Sequence, residues 1–205
     1  MRIVRPSSYD EYVCWYLRRE ARKRRMPMDP ESSRTTEGMR EEMKQKHTGK
    51  LRHWFETGSW HIVELDNKEE LFDLVCLDSP WTRGAELLDD DREANYRILK
   101  VVVKNARQKG YYCSSASLDD EERQKRMKYL EEYRCAGRVC LRDDDRIVLR
   151  TLNHDERTKN PSGTYYLHDG LGRLLAYSYL LTYKGFAYCP VEAFLAEPVC
   201  LTIDP

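Results

Sequence analysis

Near its end the chain carries an aromatic, β-prone stretch, Thr164-Tyr165-Tyr166-Leu167-His168. It runs directly into the turn Asp169-Gly170-Leu171-Gly172, and then into an apolar helical run from Arg173 to Lys184, stopped by Gly185. No other segment constrains the fold as much. A strand that feeds a helix through a glycine turn needs a sheet to belong to and a second layer to cover it. The expected fold class is therefore α+β: a small mixed sheet flanked by helices, with a helical arm in front. The expected units are a basic, mainly helical arm over 1–55 and a core domain over 56–205, with the strand-turn-helix at 164–184.

The same unit is where chemistry is expected. The first turn of a helix leaves its amides unpaired and carries partial positive charge, so it attracts anions. Gly170 and Gly172 allow the backbone to bend sharply and to approach a phosphate with no Cβ in the way. Arg173 offers a planar fork that matches phosphate oxygens. Asp169 can hold magnesium or accept a proton, and His168 can donate to the same ligand. The plain structural alternatives are an N-cap at Asp169, a surface cation at Arg173 and glycines that only make the turn. The pattern is neither a Walker loop, since it lacks Gly-Lys-Ser/Thr, nor a Gly-x-Gly-x-x-Gly fingerprint.

The rest of the chain reads less sharply. Tyr9, Tyr12, Val13, Tyr16 and Leu17 share a helical face, with Ser7 or Ser8 as cap and the Pro27–Pro30 stretch as stop. The run Arg18-Arg19-Glu20-Ala21-Arg22-Lys23-Arg24-Arg25 gives that helix a basic distal half. Residues 60–65 read as a strand. Asp66 with Glu69 suggests a capping box for a helix from Lys68 to Cys76. The loop 78–84, with Trp81 and Arg83, is a candidate functional loop. Helices are expected over 92–108 and, capped by Ser117, over 118–136. Residues 138–141, 146–152 and 186–194 are β-prone, and 199–203 is a further candidate. Asp143-Asp144-Asp145 reads as a solvated turn, and 153–163 as a polar loop.

Composition narrows the class. Of 205 residues, 40% are hydrophobic, enough for a core, and 34% are charged. Formal net charge is zero, so there is no bulk attraction to nucleic acid. Residues 1–53, however, hold 14 Lys/Arg against 8 Asp/Glu. Residues 18–25 are thus a possible phosphate-contacting patch, or a face that docks on the acidic body. The 14 tyrosines could offer stacking surfaces. The seven cysteines are scattered without a Cys-x-x-Cys, which argues against a zinc ribbon or a dithiol site. No signal peptide or membrane span is evident, so a cytoplasmic protein without membrane association is expected.

The stretch from Leu167 to Ala176, with Asp169-Gly170 and Arg173, resembles the signature turn of the ParB/sulfiredoxin superfamily. The helix ending at Lys184-Gly185 and the following Cys189-Pro190-Val191-Glu192 are similar to that family's downstream strand. The resemblance covers about residues 60–197 in layout. It implies a nucleotide triphosphate, ATP or CTP with magnesium, gripped at residues 168–173. It further implies a phosphotransferase or NTPase acting on a small molecule, as in free serine kinases and CTP-hydrolysing partition proteins. Asp169, Gly170 and Arg173 match the motif. Leu171 and Gly172 stand where the kinases have histidines, and Leu171 stands where sulfiredoxins have their cysteine, which argues against sulfiredoxin activity.

Under this reading His168, Gly170, Leu171, Gly172 and Arg173 hold phosphates, Asp169 holds the metal and Arg173 neutralises charge in transfer. A further carboxylate, Glu64 or Glu86, would act as base. The alternatives are a nucleic-acid-binding regulator using the basic helix and a non-catalytic interaction module on the same fold. Oligomeric state, acceptor and base identity are left open.

Overall fold

The computed structural model describes residues 1–23, 55–77, 96–108 and 121–198. Seven strands form one mixed sheet: β1 (Arg2–Ser7), β2 (Ser59–Leu65), β3 (Val75–Leu77), β4 (Tyr96–Ile98), β5 (Ile147–Thr151), β6 (Tyr165–Asp169) and β7 (Val191–Glu197). Their order is β1-β2-β7-β5-β6-β3-β4. The β7–β5 and β6–β3 pairs are parallel and the remaining pairs antiparallel. The helices are α1 (Tyr9–Lys23), α2 (Lys68–Phe72), α3 (Leu99–Gln108), α4 (Glu121–Ala136), α5 (His154–Lys159) and α6 (Leu171–Tyr183). The α+β class expected from the sequence is what the chain adopts.

The central strands are buried on both faces, because successive side chains leave a strand on opposite sides. Val63, Ile147, Leu149, Ala193 and Leu195 point into one core. There they meet Val102, Val103 and Ala106 of α3, Leu130 of α4, and Leu174, Leu175 and Leu180 of α6. Their neighbours Ile62, Val148, Phe194 and Ala196 point the other way, into a core shared with Tyr9, Tyr12, Val13, Trp15 and Leu17 of α1. That second core is aromatic. Tyr12 stacks on Trp60 at 4.7 Å, and Phe55 on Trp60 at 5.3 Å. Each such ring contributes roughly 1.5–3 kcal/mol by burial.

Residues 1–23 are built into the body. β1 pairs with β2 through five residue pairs at the sheet edge, and α1 covers one face, capped by the Ser8 hydroxyl accepting from the Glu11 amide at 3.1 Å. The sheet therefore crosses the arm-to-core line expected near residue 55.

Several local expectations shift. The helix expected from Lys68 to Cys76 stops at Phe72, and Val75–Leu77 is strand. The β-branched and apolar Val75 and Cys76 are worth more paired in the sheet than extending a helix. Its cap lies one residue later than expected: Asn67 accepts from the Glu70 amide, and Glu70 accepts from the Asp66 amide. Residues 96–98 are strand rather than helix. Residues 138–141 form no strand, although Val139 and Leu141 are buried and the Leu141 carbonyl accepts from the Glu192 amide. The polar loop 153–163 holds α5, closed by a capping box between Asn153 and Glu156. The Pro27–Pro30 stop, the 78–84 loop, Glu86, the Ser117 cap and the 199–203 strand lie outside the described residues.

Candidate functional site

β6 ends at Asp169, and Gly170 turns the chain into α6. Gly170 sits at φ +104°, ψ 9°, where an L side chain is strained, and a Cβ there would lie 2.6 Å from Cγ2 of the buried Ile147. Gly170→Ala is expected to cost about 2 kcal/mol or more. Urea unfolding is expected to register this as a lower midpoint with an unchanged slope. The helix begins at Leu171, two residues before the start read from sequence. Arg173 is therefore the third residue of the first turn, and the cap position has no side chain to fold back over the amides.

Arg173 was expected at the surface or in a ligand site. It is the largest fully buried side chain of the described residues, 2% exposed. Its Nη1 donates to the Asp145 carbonyl at 2.6 Å, and its Nη2 lies 3.5 Å from the Asp169 carboxylate. The Asp145 carboxylate is 3.6 Å away, and Nε has no partner. Burial, and then the nearby Arg19 guanidinium, pull the Arg173 pKa below its ordinary value. A guanidinium remains charged in spite of this. It makes one short hydrogen bond out of five possible donors.

This side chain lies at the base of a cleft of about 670 Å³, walled by Arg19 and Arg22 of α1, Lys128, Tyr129 and Glu132 of α4, and Asp144 and Asp145 of the 143–145 turn. The turn is 3-10, with Asp143 at φ +49°. It is strapped to both helices: Trp15 Nε1 donates to the Asp143 carbonyl at 2.8 Å, and Arg173 holds the Asp145 carbonyl. Its carboxylates are exposed, as expected, but Asp144 pairs with Arg22 and Asp145 faces Arg173. The chain's own carboxylates thus partly screen four cations that converge on one space.

The structure redistributes the other expected site residues. Asp169 lies between Arg19 and Arg173 and pairs with both, so its carboxylate is answered by two guanidiniums. It does not fit as a magnesium ligand. A divalent ion there would meet two fixed positive charges, and among the described residues no three His, Cys, Asp or Glu side chains gather as a metal site. His168 does not line the cleft; its ring meets Phe55 edge-on at 4.8 Å on the aromatic side of the sheet. Strand alternation turns it away from the residues on either side of it. Leu171 packs its side chain against the core, and it, Gly170 and Gly172 are not among the cleft walls.

Gly172 lies beside the Tyr129 ring: a Cβ there would sit 3.4 Å from it, an ordinary van der Waals contact, so this position does not require glycine. Glu64 is buried, paired with Arg2 and Arg142, and outside the cleft. Sequence reasoning missed Arg19, Arg22, Lys128 and Tyr129 as cleft walls. The basic run on α1 was the available signal for the first two.

The fold and site define an α+β chain with a cleft of interleaved cations and carboxylates beside the first turn of α6. A scan against protein-family models finds no match, and searches of curated proteins and of solved structures also find none.

Proposed function

We propose that this chain binds the phosphates of a nucleotide, ATP or CTP, in the cleft above Arg173, and acts on them as a phosphotransferase or NTPase. One observation carries the reading: a fully buried guanidinium, with one short hydrogen bond and an unpartnered Nε, under an uncapped helix N-terminus. A buried polar group without partners costs free energy, and a bound phosphate would supply acceptors for it. Arg22 and Lys128 at the rim would steer and neutralise the anion. The transfer step rests on the resemblance of the 169–173 turn to the signature turn of the ParB/sulfiredoxin superfamily.

Asp169, committed to two arginines, favours a second reading: a binding module without turnover. The basic helix as a nucleic-acid arm gains less support, since Arg19 and Arg22 pair with Asp169 and Asp144 of the body.

Calorimetry with ATP, CTP and inorganic tripolyphosphate tests the phosphate reading. The wild-type chain is expected to bind them. Arg22→Ala and Lys128→Ala are each expected to weaken binding by about three- to tenfold without unfolding the chain. Asp144→Asn with Asp145→Asn is expected to tighten it by a similar factor, because two competing internal anions are neutralised. Absence of binding to all three ligands at high protein concentration would sink the reading. Binding with no phosphate release leaves the module reading in place.

A further inference from the structure

We propose that the α4 wall of the cleft reads the nucleoside end of the ligand, with the base lying on the Tyr129 ring and the ribose hydroxyls donating to the Glu132 carboxylate. This rests on the phosphate reading above and adds which side chains hold the nucleoside.

The division of labour along α4 supports it. Leu130 is buried in the core, and Met127 and Tyr133 pack against it. Lys128 and Glu132, one turn apart, line the cleft, and Tyr129 between them does both, packing against the core while its ring walls the cleft. Tyr129 is half-buried, and the Tyr133 ring backs it at 6.4 Å and 28°. Tyr133 packs against the core, and its burial raises the phenol pKa, with Arg173 close enough to oppose the shift. The Tyr129 ring lies beside Gly172 in the first turn of α6, one residue from Arg173. An aromatic surface thus adjoins the phosphate-holding turn, where a planar group attached to a phosphate can stack on it.

Glu132 narrows the class of ligand. Of the three carboxylates in the wall, Asp144 and Asp145 face Arg22 and Arg173, whereas Glu132, among the described residues, faces only Lys128 of its own helix. Glu132 pairs with Lys128 Nζ at 3.7 Å, and both side chains are more than half exposed, so the pair is weak. A carboxylate accepts readily from a pair of hydroxyls, and an acidic side chain on ribose is a recurrent solution in nucleotide sites. A sugar phosphate brings hydroxyls without an aromatic face, and an aryl phosphate brings an aromatic face without paired hydroxyls. A ribonucleotide brings both, at the end of the molecule opposite the charge that Arg173 receives.

The test is calorimetry on the intact chain with tripolyphosphate, ATP, CTP and the 2′,3′-dideoxy form of each nucleotide. ATP or CTP is expected to bind wild type about tenfold more tightly than tripolyphosphate. Tyr129→Leu is expected to erase that margin and Tyr129→Phe to keep it, with tripolyphosphate affinity unchanged in both. Removing the hydroxyls is expected to weaken binding by about tenfold in wild type and not in Glu132→Ala. If tripolyphosphate binds but nucleotides bind no tighter, or if Tyr129→Leu keeps the margin, this inference is overturned and the phosphate reading stands. If nothing binds, both fall together.

Discussion

Arg173→Ala is expected to weaken tripolyphosphate and nucleotide binding by about a hundredfold, the largest loss from any single side chain of the cleft. Truncating one partner of a buried, hydrogen-bonded charge pair costs about 2–5 kcal/mol, and each 1.4 kcal/mol is tenfold. Arg173 is 2% exposed, so a contact it makes with a phosphate forms in a desolvated setting, where charge attraction is weakly screened. Arg173→Lys keeps the charge but loses the planar fork, and is expected to recover about tenfold of that loss. Both substitutions also release the 143–145 turn, whose Asp145 carbonyl Arg173 holds. Stability must therefore be followed by urea unfolding, with binding measured well below the unfolding midpoint. A folded Arg173→Ala chain that binds tripolyphosphate as wild type does would remove the guanidinium from the site.

The legible parts of the fold were those whose periodicity is set by burial on a well-defined face. β2, β5, β6 and α6 fall within one or two residues of their expected ranges because their apolar residues leave no choice of register. β1 was not legible. Ile3 and Val4 are both exposed, a bulge interrupts the strand between Ile3 and Arg5, and Pro6 lacks an amide, so alternation never develops. The change from α2 to β3 was hidden for another reason. Leu71, Leu74 and Val75 keep a helical spacing in sequence, although Leu74 and Val75 are buried where the chain has already left the helix.

The site divides along similar lines. Local geometry was legible: the glycine turn, the helix start and Arg173 within its first turn are properties of neighbours in sequence. What surrounds Arg173 was not. Arg19 lies 150 positions from the Asp169 it pairs with, and Arg22 lies 122 from Asp144. The basic run on α1 suggested either a phosphate-contacting patch or a face docked on the acidic body, and in the structure Arg19 and Arg22 pair with Asp169 and Asp144 of the body beside the cleft. Asp143-Asp144-Asp145 looked like solvated charge, and its carboxylates are exposed. Its backbone carbonyls, which sequence composition cannot reveal, are what tie α1 to α6.

Glu156→Ala is expected to be the most damaging substitution away from the cleft. The Glu156 side chain is fully buried and accepts from Arg150 Nη1 at 2.7 Å, from Arg150 Nη2, and from the Asn153 amide at 2.9 Å. Arg150 lies 3.9 Å over the Tyr166 ring on β6, so the pair also fastens α5 to the sheet. Removing the carboxylate leaves a guanidinium in low dielectric without its counter-charge and opens the capping box, at a cost of about 3–5 kcal/mol. For a chain of this size that lowers the melting midpoint by about 10 °C. The double substitution Arg150→Met with Glu156→Leu is expected to restore most of the loss, because an apolar pair of similar volume carries no desolvation penalty. The diagnostic quantity is the coupling between the two sites in a double-mutant cycle. Additive effects would mean that α5 is held by its cap and packing alone, and that the ion pair contributes nothing beyond its two members.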